Sequence, residues 1–151
     1  MTETTNLSFS YKVKEELSAH FGNARHCQIA ELSAIVNICG GIASFGKTFC
    51  LKIQTENVRS GGKRRRIYLL LIRNAFDAAR VLMATGILHK DREQTVTFDR
   101  IYPPVTAAVC CRRAYLRGAF LASGSVNNPE KNYHLEFVVN SLLLAADLQE
   151  M

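Results

Sequence analysis

No run of apolar residues in this chain approaches the roughly 20 that a membrane-spanning helix needs. Its start, MTETTNLSFS, has neither a basic n-region nor an apolar h-region, so it does not read as a secretory signal. There is no CxxC pair. The five cysteines are odd in number and unpatterned, which suits reduced thiols of a cytosolic protein better than a disulfide framework. A phosphate-binding glycine loop is missing too, because GGKRRR lacks the P-loop spacing and leads into a strand pattern. Acidic residues are the scarcer charge, 13 against 19 Lys and Arg, giving a net charge of +6. That balance favours an anionic partner, nucleic acid first. With 48% hydrophobic and 21% charged residues, the chain is neither disordered nor fibrous. Its 151 residues suffice for one domain with a real core.

What is present is a repetition. CQIAELSAIVNICGGI returns as CRRAYLRGAFLASGSV at a constant offset of 84 residues. The same offset carries TFCLKIQTEN onto NYHLEFVVNS. Each copy reads as a helix closed by glycine, at Gly40 or Gly124, then a short turn and an alternating strand. A unit used twice predicts a pseudo-twofold α+β domain whose halves bury their apolar faces against each other.

Residues 1–7 read as a loose polar tail, and residues 8–151 as the domain. SFSYKVKEELSAHF predicts an amphipathic helix with Ser10 as N-cap and Val13 and Leu17 on one face. In the first repeated helix, Ile29, Leu32, Val36 and Cys39 form the expected stripe. In Thr48–Thr55 the residues Phe49, Leu51 and Ile53 share one face and Cys50, Lys52 and Gln54 the other. RIYLLLIR predicts a strand covered on both faces. NAFDAARVLMATG predicts a helix capped by Asn74, closed by Gly86, with Phe76, Ala79, Leu82 and Met83 as its stripe. Residues 94–98 suggest a short strand, and the two prolines of IYPPVTA make it a connector. The first repeat thus spans about 27–99, and the second, begun at about 110, runs to 151 and looks cut rather than finished.

LSAIVNICG and LRGAFLASG resemble the paired LAGLIDADG motif of homing endonucleases. SFSYKVKEEL, ARHCQIAEL and CCRRAYLRGAFLASGSVNNPEKNYHLEF are similar to stretches of one branch of that fold, the WhiA sporulation-regulator family. The resemblance implies a LAGLIDADG homing-endonuclease-like domain in which Ala34 and Gly118 are small packing residues between the two helices. It implies a bacterial cytoplasmic, nucleoid-associated regulator of transcription in sporulation or cell division, with a C-terminal helix-turn-helix. The family's first half is usually longer, with a helix and a further strand where this chain has ENVRSGG, and no helix-turn-helix is seen before Met151. An abridged first half and a begun second half are therefore expected.

The motif acids of the nucleases hold divalent metals, which demand oxygen ligands. The equivalent positions here are Cys39 and Ser123, so no cleavage, no metal and no cofactor is expected. His26, Cys27, Cys110, Cys111 and His134 do not have the spacing of a structural zinc site, and packing roles are expected for them. Two basic clusters are the candidates for DNA contact. Lys63, Arg64, Arg65 and Arg66 form a glycine-led turn that can follow a phosphate backbone. Arg113 and Arg117 are four apart on the second motif helix and share a face, against the alternative that they pair with Glu31 or Glu130. Lys52 and Gln54 occupy the strand face that reads DNA in the nuclease relatives. Their counterparts His134 and Glu136 make the binding surface lopsided in charge. DNA binding is thus expected to be weak and mostly to the backbone. A docking or dimerising module without DNA contact is the alternative, and a residual nuclease the third reading.

Overall fold

A computed structural model of the chain describes residues 8–58, 65–91 and 93–151. In chain order the elements are α1 (Phe9–Ser18), α2 (Arg25–Cys39), β1 (Gly40–Phe45), β2 (Thr48–Val58), β3 (Arg65–Ile72), α3 (Ala75–Ala84), β4 (Leu88–Asp91) and β5 (Glu93–Val96). A 3-10 turn at Pro103–Thr106 leads to α4 (Val109–Ser123), β6 (Gly124–Val126), β7 (Leu135–Phe137) and α5 (Leu142–Gln149). The expected tail, residues 1–7, lies outside the described residues.

The repeated helices α2 and α4 pack against each other at the centre. Ala34 and Gly118, equivalent by the repeat, meet there. A Cβ on Gly118 would lie 3.1 Å from that of Ala34 and would collide with the carbonyl of Glu31. The helices approach this closely because the facing positions are small. The expected apolar stripe of α2 is only partly right. Ala30, Ser33, Ala34, Val36 and Asn37 are buried, whereas Leu32 is 38% exposed. The reason is that α2 is sandwiched. Its small-residue face meets α4, while Val36 joins Leu51, Ile53, Ala78, Leu82 and Ile87 beneath the sheet. On the other side Ala30, Ala34, Ala114, Tyr115, Ala119 and Leu144 form a second core between α2, α4 and α5.

Gly40 and Gly124 close α2 and α4 as expected, but the short turn expected after each is missing. Both are extended, at φ −85° ψ 161° and φ −74° ψ 152°, and each leads directly into a strand, β1 or β6. A Cβ at Gly40 would strike the Val36 carbonyl, and one at Gly124 the Phe120 side chain. Glycine is needed for this tight exit from the helix. Each unit is thus helix, strand, turn, strand. β1 pairs antiparallel with β2, with Gly41 opposite Lys52, and β6 with β7, with Ser125 opposite Glu136. Those two pairs are again equivalent at the offset of 84.

β2 also pairs antiparallel with β3, Lys52 opposite Leu71 and Gln54 opposite Leu69. β3 is an edge strand of the three-stranded sheet. It is not covered on both faces. Ile67 and Leu70, which point to opposite faces, are each 58% exposed. In α3, Asn74 does cap, accepting from the amides of Phe76 and Asp77. Its inward residues are Ala78 and Leu82, however, and Phe76 is 71% exposed. Leu82 of the expected stripe is buried, but α3 rests on the sheet through the face that Leu82 shares with Ala78, four residues before it, and this leaves Phe76 and Met83 outside. In α1 the cap is Ser8, whose side chain accepts from the Tyr11 amide. Ser10 instead ties α1 to β6: its hydroxyl donates to the Val126 carbonyl at 2.7 Å and accepts from the Val126 amide at 2.8 Å.

Candidate nucleic-acid interface

The seam between α2 and α4 carries polar pairs on both sides of the Ala34–Gly118 crossing. The Arg117 guanidinium pairs with the Glu31 carboxylate, both mostly buried. The Asn37 amide donates to the Tyr115 hydroxyl at 2.8 Å and to the Arg100 carbonyl at 3.1 Å. Burial pushes the Tyr115 phenol well above its ordinary range, against the opposing effect of Asn37. Arg117 therefore faces its neighbour helix, while Arg113 is exposed. The two do not form a shared open basic face, and the pairing with Glu31 is the arrangement observed.

The positions of the nuclease acids lie at the far ends of the same helices. Cys39 is half-buried, and its Sγ lies 3.9 Å from the Ala122 carbonyl. Burial raises the Cys39 thiol pKa, and the charge of Lys14 on α1 opposes that rise only in part. The same surroundings lower the Lys14 pKa through desolvation, and its ammonium also lies 5.6 Å from the Phe120 ring centre. The Ser123 hydroxyl donates back to the Ala119 carbonyl at 3.5 Å. The pair thus offers a neutral thiol and a hydroxyl turned to its own helix, with a lysine nearby. Such a set is a poor anchor for a hard divalent cation. Lys14 had no signal in the sequence beyond lying on an amphipathic helix.

Around these helix ends runs an open groove lined by Cys39, Gly41, Lys52, Gln54 and Asn140. Lys52 and Gln54 come from β2, on the sheet face away from the core, and Asn140 follows β7. The groove therefore draws donors from both halves of the molecule. Asn140 escaped the sequence reading because only Leu135–Phe137 of the expected longer strand is extended in a ladder. In the second half, Glu136 accepts from Ser125 at 3.2 Å and lies 3.2 Å from the His134 ring. His134, then Ser125, holds the Glu136 carboxyl below its ordinary range. The acid that is the repeat equivalent of Lys52 is thus ionised at neutral pH. Of the basic turn, Lys63 and Arg64 lie outside the described residues. The backbones of Arg65 and Arg66 pair with Val58 and Asn57 in the sheet.

At the opposite pole, the first turns of α2 and α4 bring together four ligand-type side chains. The Sγ atoms of Cys27, Cys110 and Cys111 and a ring nitrogen of His26 all lie within 4.8 Å of one another. Cys110 Sγ is 3.5 Å from His26 Nε2. Hydrogen bonding to His26 and then Cys27 lowers the Cys110 pKa. Desolvation and the neighbouring thiols push that of Cys27 up to about 11. Motif spacing could not reveal this group. The repeat could, because the offset of 84 superposes His26 and Cys27 on Cys110 and Cys111. His134 is not part of it.

The family models that match describe a WhiA N-terminal LAGLIDADG-like domain over residues 25–99 and a WhiA LAGLIDADG-like domain over residues 112–151. Among curated relatives, a probable cell division protein WhiA of Lachnoclostridium phytofermentans is 33% identical over 172 aligned residues. One of Clostridium botulinum (strain Hall) is 36% identical over 172, and one of Alkaliphilus metalliredigens 34% over 171. Each match covers 96% of this chain and 54% of the relative. The chain thus spans about half the length of these relatives. Their aligned stretches exceed its 151 residues, so they hold segments there that it does not. A crystal structure of the N-terminal LAGLIDADG domain of DUF199/WhiA superposes with a TM-score of 0.56 at 22% identity, covering 99% of this chain and 75% of that one. Among the described residues no helix is long and apolar enough to cross a membrane. With both family models in sequence order and the crystal structure sharing the fold, the chain belongs to the WhiA family, as its LAGLIDADG-like N-terminal domain.

Proposed function

We propose that this chain is a non-catalytic, DNA-binding part of a WhiA-type regulator that controls transcription in cell division or sporulation, working in the bacterial cytoplasm on the nucleoid. The observation that carries the reading is the groove at the ends of α2 and α4. Lys52, Gln54 and Asn140 line it, and the nuclease acid positions beside it hold Cys39 and Ser123. Amide and ammonium donors suit a phosphate backbone, while the want of carboxylates leaves no means to hold the metals that cleave it. Glu136 on the equivalent face of the second half repels phosphate. Binding is therefore weak, and the basic run 63–66 supplies most of the charge. Base reading in the whole protein falls to another region, such as a helix-turn-helix, or to partner regulators.

Incubating pure protein with supercoiled plasmid and Mg²⁺ or Mn²⁺ tests this. Retarded but intact plasmid is expected at low salt. Metal-dependent nicking that Ser123→Ala abolishes would overturn the non-catalytic reading.

A second reading rests on β3, an edge strand with apolar residues open on both faces. Such an edge invites strand pairing, and the chain would then serve as a dimerising module. Sedimentation equilibrium distinguishes the two. A concentration-dependent dimer that binds no plasmid favours this second reading over the first.

A further inference from the structure

The first turns of α2 and α4 share two peculiarities. Neither helix has a capping side chain, because Ala24 and Ala108 stand at the N-caps, and neither has an acidic residue in its first turn. Two positive helix ends therefore lie side by side without the anionic partner that such ends usually have. Arg25, Arg112 and Arg113 add exposed cations in the same turns. Into this positive environment the repeat delivers three thiols and an imidazole.

We propose that His26, Cys27, Cys110 and Cys111 form a zinc site of the Cys3His type that clasps the N-terminal ends of α2 and α4. Zinc takes four such ligands tetrahedrally, at about 2.3 Å to sulfur and 2.0–2.1 Å to nitrogen. Ligand atoms around it then stand about 3.7 Å apart. The four atoms here lie within 4.8 Å of one another, at most about 1 Å beyond the separation a closed shell requires. Cys110 and His26, at 3.5 Å, already have the separation that a shared ion requires. Cys110 and Cys111 are adjacent, yet both sulfurs reach the group because a helix start splays successive side chains around one end. Three thiolates and a neutral imidazole around Zn²⁺ leave one net negative charge, which the two helix ends and the arginines offset. On binding, the thiols that are still protonated release their protons to solvent. The ion cross-links the two halves of the repeat at the pole opposite the DNA groove, where it stabilises the helix pair and takes no part in a reaction.

The test uses the whole chain, reduced and kept free of oxygen, and cobalt(II) as the spectroscopic probe. One equivalent of Co²⁺ is expected to give thiolate-to-metal charge transfer and the intense visible bands of a tetrahedral centre. One equivalent of Zn²⁺ should bleach them and raise Tm. Cys110 and His26 are exposed, so Cys110→Ser and His26→Gln leave the fold intact, as circular dichroism will verify. Each should weaken cobalt binding by more than the roughly 10–100-fold that a change outside the ligand shell causes. Cys111→Ser, at a buried position, is read only beside these two. Absence of the tetrahedral bands in the reduced parent would overturn the proposal, including a chain whose only chemistry is a disulfide among these cysteines. Bands that survive in both exposed-site variants would place the metal elsewhere and equally overturn it.

Discussion

Position 118 shows how much one missing side chain decides. Any Cβ there meets the Glu31 carbonyl and the Ala34 methyl, so a larger residue forces α2 and α4 apart. Overpacking a core costs roughly 1–3 kcal/mol, and Gly118→Leu is expected to lie at or above the upper end because backbone blocks the way. Thermal melting checks it, and a variant as stable as the parent would contradict the helix pairing. Beside the crossing, Arg117 and Glu31 are held mostly out of water. Removing either alone strands its partner, which costs roughly 1–3 kcal/mol or more for a charge. Glu31→Leu and Arg117→Met are each expected to lower the urea midpoint, and the double variant to recover much of the loss. Strict additivity in that cycle would show that the pair is not coupled.

Among the elements, legibility in the sequence followed the kind of contact that buries each one. β2 was plain, because Leu51 and Ile53 face a core and Lys52 and Gln54 do not, so its period of two survives. α2 is less legible because it is buried on two sides, and small residues such as Ala30 and Ser33 do packing that a stripe of large apolar residues does not mark. β3 reads as a covered strand from RIYLLLIR, but apolar composition cannot say whether a neighbour exists to cover it. The thiol group does not show as a motif spacing, though the repeat offset brings His26 and Cys27 onto Cys110 and Cys111, while the groove takes its lining from both halves and emerges only in the fold. α1 offers a test of this level. Its hold on β6 is the two-way hydrogen bonding of Ser10 with Val126, helped by Lys14 over Phe120. Ser10→Ala leaves the Val126 amide without this partner, at a cost on the order of 1 kcal/mol. Hydrogen exchange should speed up in α1 and β6 while the α2–α4 pair stays protected. Unchanged exchange in α1 would mean that other contacts hold it.

For the whole molecule, the two proposals give the poles of the helix pair separate tasks: DNA contact at the polar groove at one end, and a metal clasp at the thiol cluster at the other. The net charge of +6 suits the proposed DNA contact. Cations that replace counterions on duplex DNA make binding fall with salt, each with a slope of roughly −0.9 in log K against log salt. The run 63–66 holds four cations and should account for up to about four such units. Changing Lys63, Arg64, Arg65 and Arg66 together to Ser is expected to flatten the slope and weaken binding evenly across duplexes. A quadruple variant with the parent's slope would move the contact elsewhere, Arg113 first. The measurement that bears most directly on the account is fluorescence anisotropy of the parent chain with two unrelated duplexes over a salt series. Weak binding to both, with equal, steep salt dependence, is expected of the proposed DNA contact. Binding absent even at low salt, or a strong preference for one duplex, would contradict it.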